Sequence, residues 1–248
     1  VYEIPEGAKN SKGRAIQNLL NIDADDKVNA FIRVKKLQDP EYNLTHNLVF
    51  CTKKGVIKKT RLEAYSRPRT NGVNAITIRE DDQVIQVRLT TGNSEIIMAN
   101  REGRAIRFHE TTVREMGRTA TGVRGMTLDE SVNDEVVGMI CVNDPETETI
   151  MVVSEQGYGK RSEIEDYRIT NRGGKGVKTL NITPKTGKLV AIKNVTDEND
   201  LVIINKSGIT LRIKVADIRV MGRATQGVRL INLEKRNDEI ASVCKVAS

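Results

Sequence analysis

The sequence of 248 residues has no tryptophan, only 3% aromatic residues and three cysteines. With so few aromatic side chains there is little surface on which unpaired bases could stack, which argues against a single-stranded nucleic acid as partner. Cys51, Cys141 and Cys244 are odd in number, widely spaced and set in apolar stretches, so we expect reduced thiols and no disulfide framework. No run approaches the roughly 18 apolar residues of a membrane span, and the N-terminus lacks the order of a signal peptide. We therefore expect a cytoplasmic protein with no membrane partner.

Groups that could form a catalytic or metal centre are also scarce. The two histidines, His46 and His109, lie far apart, and no Cys or His residues have the spacing of a zinc site. No G-x-S-x-G motif is present, and the segment TNRGGKG at 170–176 lacks the GxxxxGK[ST] order of a P-loop. We predict no catalytic residue, no metal ligand and no bound cofactor in this chain.

Basic residues outnumber acidic ones. The 40 Lys and Arg against 33 Asp and Glu give a net charge of +7 and a pI near 9.3. Such a balance favours an anionic partner. Because the chain starts at Val1, in what reads as mid-element, we expect it to be a fragment of a longer protein.

One sequence unit occurs four times. Each copy opens with an apolar run that ends in a polar turn and a glycine: NLVFCTKKG, EIIMANREG, TIMVVSEQG and DLVIINKSG, closing at Gly55, Gly103, Gly157 and Gly208. A second glycine follows in each unit, at Gly72, Gly122, Gly176 and Gly227. Intervals of about 50 residues are typical of one propeller blade.

The pattern after the second glycine predicts further strands. Apolar residues stand four and six positions after it in every copy, a two-residue period that indicates a strand with one buried face. Another apolar strand follows an acidic or polar turn, so each unit supplies about four strands. Gly13 and the strand DDKVNAFIRV at 25–34 read as the second half of a further unit, whereas 38–43 and 143–148 read as surface loops.

These features predict an all-β, propeller-like disc of four-stranded blades. We expect a single domain over 1–248, with a partial repeat at 1–46 and complete repeats at 47–94, 95–148, 149–199 and 200–248. Helical periodicity is limited to brief stretches near 112–116 and 162–166.

Basic residues recur at matching places in the repeats. One stands four positions after each turn glycine, others lie in the loop between the two glycines, and Lys9, Lys12 and Arg14 form the version in the partial unit. A row of such loops along one rim would contact the phosphates of a duplex without reading its sequence. The candidate DNA contacts are Lys12, Arg14, Lys59, Arg67, Arg69, Arg107, Arg114, Arg118, Arg161, Arg168, Arg172, Lys175, Arg212, Arg219 and Arg223.

Two other interpretations stay open at this point. Since 40 of 248 residues are Lys or Arg, a basic loop can also serve solubility alone. A propeller that presents loops to protein partners has the same repeat length, although the Trp-Asp signature of one large propeller class is missing.

Several segments are similar to a known family. GVIKKT, EMGRTATGVRGMTL, SEQGYGKR and VMGRATQGVRLI resemble successive repeats of the DNA gyrase A C-terminal domain, and VYEIPEGAKNSKGRAIQNLL resembles the end of an earlier repeat. The similarity covers the whole chain. It implies a β-pinwheel of about five to six blades that exchange strands with their neighbours and wrap double-stranded DNA on a basic edge. The related domain of topoisomerase IV is the alternative.

The resemblance also implies a larger enzyme. The partners would be the rest of gyrase A together with gyrase B in an A2B2 holoenzyme, which uses ATP and Mg²⁺ elsewhere to introduce negative supercoils; the isolated fragment would be monomeric. TNRGGKG shares its last five residues with the QRRGGKG-type heptapeptide of the family, which would lie before Val1. That similarity gives Arg172 and Lys175 a role in phosphate contact.

Overall fold

Four antiparallel β-sheets, one for each complete repeat, form the structure. The computed structural model describes residues 5–20, 22–69, 71–233 and 237–247. Its strands are β1 Asn47–Thr52, β2 Val56–Arg61, β3 Val84–Thr90, β4 Glu95–Asn100, β5 Arg104–His109, β6 Val123–Arg124, β7 Val136–Val142, β8 Thr149–Ser154, β9 Tyr158–Glu163, β10 Val177–Lys178, β11 Leu189–Val195, β12 Asn199–Asn205, β13 Thr210–Lys214, β14 Val228–Arg229 and β15 Ile240–Ala247. The predicted all-β class is confirmed.

The first strand of each repeat is apolar at consecutive positions because both of its faces are covered. In β4, Ile96 and Met98 pack against the first sheet, whereas Ile97 packs against the third. Side chains alternate between the two faces of a strand, so a strand between two neighbouring sheets needs apolar residues at every position. Successive sheets therefore share cores, as the blades of a propeller do.

The turn after each first strand depends on its glycine. Gly55, Gly103, Gly157 and Gly208 all have φ between +79° and +85°, a conformation that costs a side-chain-bearing residue energy. The second and third strands of a repeat then pair on either side of the first, with a register shift near the end of the first strand in every sheet.

A short 3₁₀-helix follows the second strand in every complete repeat. These helices are Leu62–Tyr65, Glu110–Thr112, Ile164–Asp166 and Val215–Asp217. Two of them lie at or beside the brief helical stretches predicted near 112–116 and 162–166.

Neighbouring repeats exchange a strand. The first three sheets have the orders β3-β1-β2-β6, β10-β5-β4-β7 and β11-β8-β9-β14, so the fourth strand of each comes from the next repeat. The last sheet has three strands, in the order β13-β12-β15. Each of the last three repeats thus gives three long strands to its own sheet and a short one to the sheet before it. The third strands β3, β7, β11 and β15 contact one another in sequence and form the inner side.

The exchanged strand is shorter than its apolar period predicts. It has only two residues, directly after the second glycine, and Met126 and Leu180 are buried beyond its end rather than within it. Pairing ends there because the chain crosses over the turn of the preceding sheet, where Gly125 N donates to Gly55 O at 2.8 Å and Thr179 N donates to Gly103 O at 2.8 Å.

The residues before Asn47 depart from two predictions. Within the described ranges 5–20 and 22–46 there is no strand, so the strand predicted at 25–34 is wrong and the structure has four sheets rather than five to six blades. The described residues before Asn47 contain no strand with which this segment could pair, and it instead packs Ala30, Ile32 and Val34 against the first sheet. The loop predicted at 38–43 is partly helical, since Pro40–Thr45 forms α1, capped by Asp39.

Candidate nucleic-acid interface

After its 3₁₀-helix, each of the last three repeats runs along the outer edge of the preceding sheet. Glu115, Ile169 and Val220 form parallel bridges to Lys59, Arg107 and Arg161, which lie in the second strands β2, β5 and β9. The chain then turns back, and its short strand pairs with the same second strand. We call the three segments, residues 113–124, 167–178 and 218–229, the rim hairpins.

An exposed arginine begins each rim hairpin. Arg114, Arg168 and Arg219 stand immediately before the bridging residues, and all three are exposed. Because the same contact with the preceding sheet sets the backbone at each position, these side chains recur at equivalent places on the outer edge. They are three of the predicted DNA contacts, and the structure makes them available to solvent.

Other predicted residues join them in surface depressions. Arg168, Arg172 and Lys175 line one open depression at the third repeat. Arg67, Arg69 and Arg118 line another, between the loop of the first repeat and the first rim hairpin. Of these, Arg67, Arg69, Arg168 and Lys175 are exposed, whereas Arg118 and Arg172 are half-buried.

Three further basic residues lie on the outer edge but are not among the predicted DNA contacts. Arg124, Lys178 and Arg229 are exposed on the short strands β6, β10 and β14, the outermost strands of their sheets. A signal was present, since a valine and then a basic residue follow the second glycine in these three repeats. The first complete repeat has Asn74 at this position.

The predicted DNA contact is wrong for Lys59, Arg107 and Arg161, because their side chains are buried. They are 6%, 4% and 5% exposed, so they are not available to a duplex. Each side chain instead holds the 3₁₀-helix of the next repeat. Lys59 Nζ donates to Glu110 O at 3.0 Å, Arg107 Nη1 donates to Ile164 O at 3.0 Å, and Arg161 Nη1 donates to Val215 O at 3.2 Å.

The two arginines also satisfy acidic groups. Arg107 pairs with Glu95 at 2.6 Å and Glu165 at 3.2 Å, and Arg161 pairs with Asp197 at 2.7 Å. A buried charge needs such partners. Arg212 occupies the same position in the last repeat, where β13 has no fourth strand beside it; it is exposed and pairs with Asp200 at 2.6 Å.

Arg118, Arg172 and Arg223 are half-buried clamps between repeats. Each of these arginines lies four residues before the second glycine of its own repeat. Its guanidinium donates to a backbone carbonyl of the repeat before: Asn74 O for Arg118, Arg124 O for Arg172 and Lys178 O for Arg223. Arg172 and Arg223 also donate through Nε, to Thr112 O at 2.9 Å and Asp166 O at 3.0 Å. These contacts leave only part of each guanidinium for a phosphate.

The glycine-rich segment TNRGGKG uses part of its backbone internally. Gly173 N donates to Gly125 O at 2.7 Å, and Thr127 Oγ1 donates to Gly173 O at 2.6 Å. The Gly173 amide therefore points at the preceding repeat and not at a ligand. Lys175, one residue before the second glycine, is the exposed basic residue of this segment.

Lys12 and Arg14 are exposed but stand apart from the rim hairpins. The described residues of the partial repeat form no strand, so Lys12 and Arg14 belong to no sheet. The structure does not bring them together with the recurring arginines.

Two of the carboxylates near the rim are engaged by basic residues. Glu115, next to Arg114, pairs with Arg61 at 2.8 Å, and Glu165, near Arg168, pairs with Arg107 at 3.2 Å. The negative charge of Glu115 and Glu165 is thus partly neutralised, whereas Asp166 and Asp217, each two residues before a recurring arginine, add exposed negative charge to the same edge.

Among the described residues, no three His, Cys, Asp or Glu side chains are grouped closely enough to hold a metal ion. None of the helices in this part of the chain has the length and apolar character needed to cross a membrane.

Comparison with known proteins connects this geometry to one family. The family model described as DNA gyrase C-terminal domain, beta-propeller, matches residues 1–35, 46–91, 94–143, 148–196 and 199–244. DNA gyrase A of Staphylococcus aureus (strain NCTC 8325 / PS 47) is 45% identical over 245 residues, which are 99% of this chain and 27% of the relative. The chain thus spans about a quarter of the length of the curated relatives it matches.

Solved structures share the fold. The C-terminal domain of DNA topoisomerase IV superposes with a TM-score of 0.84 at 27% identity, covering 95% of this chain and 71% of that one. The DNA gyrase A C-terminal domain superposes with a TM-score of 0.82 at 24% identity, covering 95% and 75%. The resemblance seen in the repeats is confirmed.

Proposed function

The chain belongs to the DNA gyrase C-terminal domain family, and from this premise we propose that it binds duplex DNA along the rim hairpins and bends it around the outer edges of its blades. The recurrence of an exposed arginine at the start of all three rim hairpins carries the proposal. Equivalent positions in successive blades give a row of positive charges, which attracts the phosphates of a duplex.

The chemistry of this row predicts binding without sequence preference. Arginine guanidinium groups contact phosphate oxygens, which position a duplex but carry no base information. The exposed short-strand residues Arg124, Lys178 and Arg229 lie on the same outer edge and extend the row. Bending a duplex costs several kcal/mol, which the longer contact path offsets.

We further propose that the domain acts within a larger enzyme, beside the rest of gyrase A and gyrase B in an A2B2 assembly. In that assembly ATP and Mg²⁺ are used by other parts, and DNA bent by this domain contributes to negative supercoiling. The proposed location is the cytoplasm. The similarity to the topoisomerase IV domain supports a second candidate, the equivalent DNA-binding domain of that enzyme.

The salt dependence of DNA binding tests the rim. If about eight phosphates are neutralised, the slope of log affinity against log salt concentration is near about −7, and each lost contact changes it by about 0.9. We expect the triple variant R114A/R168A/R219A to bind a random-sequence duplex about tenfold or more weakly at 0.1 M salt, with a slope reduced by about three units.

A charge-matched variant provides the control. K27A/K206A/K245A removes the same charge from three exposed lysines that lie outside the rim hairpins and line neither of the two depressions. We expect its slope to change by less than about one unit. Equal slopes for both triple variants, or a wild-type affinity that does not respond to salt, would contradict the proposed interface.

A further inference from the structure

Two lysine side chains are buried beneath rim hairpins. Lys58 and Lys160 stand three residues after the turn glycines Gly55 and Gly157, and both are 0% exposed. We propose that Lys58 and Lys160 are positioning residues, which hold the backbone of two rim hairpins in the conformation that contacts DNA. This inference rests on the proposed function of the rim.

Each ammonium group donates to carbonyl oxygens at the tip of a hairpin from the next repeat. Lys160 Nζ donates to Gly222 O at 2.9 Å and to Arg223 O. Lys58 Nζ donates to Arg118 O, which is the position equivalent to Arg223. Lys58 Nζ also reaches Ala75 O at 2.6 Å and Tyr65 Oη at 3.4 Å.

The held residues are the interrepeat clamps. The guanidinium groups of Arg118 and Arg223 donate to Asn74 O and Lys178 O of the preceding repeat, while their own carbonyls accept from the buried lysines. Each tip is therefore fixed at its backbone by a lysine and at its side chain by a carbonyl. The hairpins that these tips close begin at the exposed Arg114 and Arg219.

The lysines are buried at an energetic cost. Desolvation lowers the pKa of Lys58 and of Lys160 to about 8, and the positive charges of Arg118 and Arg223 lower it as well, while Asp166 opposes the shift of Lys160. The second complete repeat has Ile106, 2% exposed, at the same position. Since the fold accepts an apolar side chain there, packing does not require a lysine.

The rim hairpin over Ile106 is held in another way. Thr127 Oγ1 donates to Gly173 O, and Gly173 N donates to Gly125 O. The molecule therefore contains two hairpins with a lysine beneath them and one without, which gives an internal control.

Removing the ammonium groups affects DNA binding indirectly in this arrangement. A buried lysine does not touch a phosphate, so its loss leaves the number of phosphate contacts unchanged. The hairpin tips lose hydrogen bonds from a charged donor, which are among the stronger ones in proteins. DNA affinity then falls because the arginines are no longer held in place.

Hydrogen exchange and DNA binding of the variant K58M/K160M test this inference. Without DNA, we expect amides at 117–122 and 222–227 to exchange about tenfold or more faster than in the wild type, while those at 171–176 are unchanged. We expect the DNA affinity at 0.1 M salt to fall about tenfold, with the salt slope within about one unit of the wild type. I106M is the matched control and leaves all three measurements unchanged.

Two outcomes for K58M/K160M overturn the inference. One is that the amides of both hairpins exchange as slowly as in the wild type. The other is that the salt slope falls by about two units, as it would if the two lysines contacted phosphates directly. If the double variant does not fold, the single variants K58M and K160M are measured, each expected to release only its own hairpin. Amide exchange is measured without DNA, so it tests the role of the two lysines independently of DNA binding. A wild-type protein that fails to bind DNA would contradict the proposed function alone.

Discussion

Arg107 is a buried charge that connects three parts of the molecule. It pairs with Glu95 on the neighbouring strand and donates to the carbonyls of Ile164 and Tyr167 in the next repeat. Removing one partner of a buried ion pair leaves the other charge without compensation, which typically costs about 3–5 kcal/mol. We expect R107M to lower the free energy of unfolding by this amount, measured by urea denaturation.

R212M is the comparison, because Arg212 has the same position in the last repeat but is 60% exposed in its side chain and, in the described structure, contacts no 3₁₀-helix of another repeat. R212M removes the ion pair with the buried Asp200 but no hydrogen bond to the carbonyls of another repeat, so we expect it to cost less than R107M. Equal losses for R107M and R212M would show that the contact to the next repeat contributes nothing.

The short strand that each of the last three repeats gives to the preceding sheet depends on the second glycine of its repeat. Gly176 has φ +72°, and a Cβ built on it would lie 2.3 Å from Ala105 O of the sheet it joins. Gly72 has φ +76° with no atom within 4 Å of such a Cβ, since the described residues before it form no sheet for it to join. The two glycines share a positive φ, but only Gly176 lies so close to another backbone segment that a Cβ would clash with it.

This difference predicts unequal effects of alanine. A positive φ costs a residue with a Cβ about 1–2 kcal/mol, which we expect for G72A. G176A adds a backbone clash and should lose at least about 2 kcal/mol more, with faster amide exchange in β5 and β10. The measurement is urea unfolding of both variants together with hydrogen exchange, and similar stabilities would contradict the strand exchange.

Writhe is a property of the whole molecule, because it depends on the path of DNA over several blades. Equivalent arginines on successive blades predict a path that curves consistently in one direction. When a nicked plasmid is sealed by ligase in the presence of the domain, we expect the distribution of linking numbers to shift, with a sign that gives the hand of the path. R114A/R168A/R219A should abolish the shift, whereas K27A/K206A/K245A should retain it.

Binding without any shift would show that the duplex lies on the rim without a curved path. For the complete enzyme, incubation of relaxed closed plasmid with ATP separates the two candidates, since a gyrase adds negative supercoils to such DNA. A complete enzyme that only removes supercoils would favour the topoisomerase IV candidate.

Local sequence was sufficient to predict the strands and turns of the complete repeats. Apolar runs that end in a polar turn and a glycine specify a strand and the reversal after it, because burial and positive φ are requirements of nearby residues. The four first strands and the glycines Gly55, Gly103, Gly157 and Gly208 follow this rule. The recurring arginines Arg114, Arg168 and Arg219 were also visible as a repeated position.

Tertiary structure decided which basic residues are available. Arg107 and Arg114 have the same charge and lie in the same repeat, yet the next repeat covers Arg107 and leaves Arg114 in solvent. The 25–34 segment, likewise, has the alternation of a strand but pairs with no strand of the described residues. Exposure and pairing depend on what the adjacent repeat places beside a residue, and a residue's own sequence neighbourhood does not contain that information.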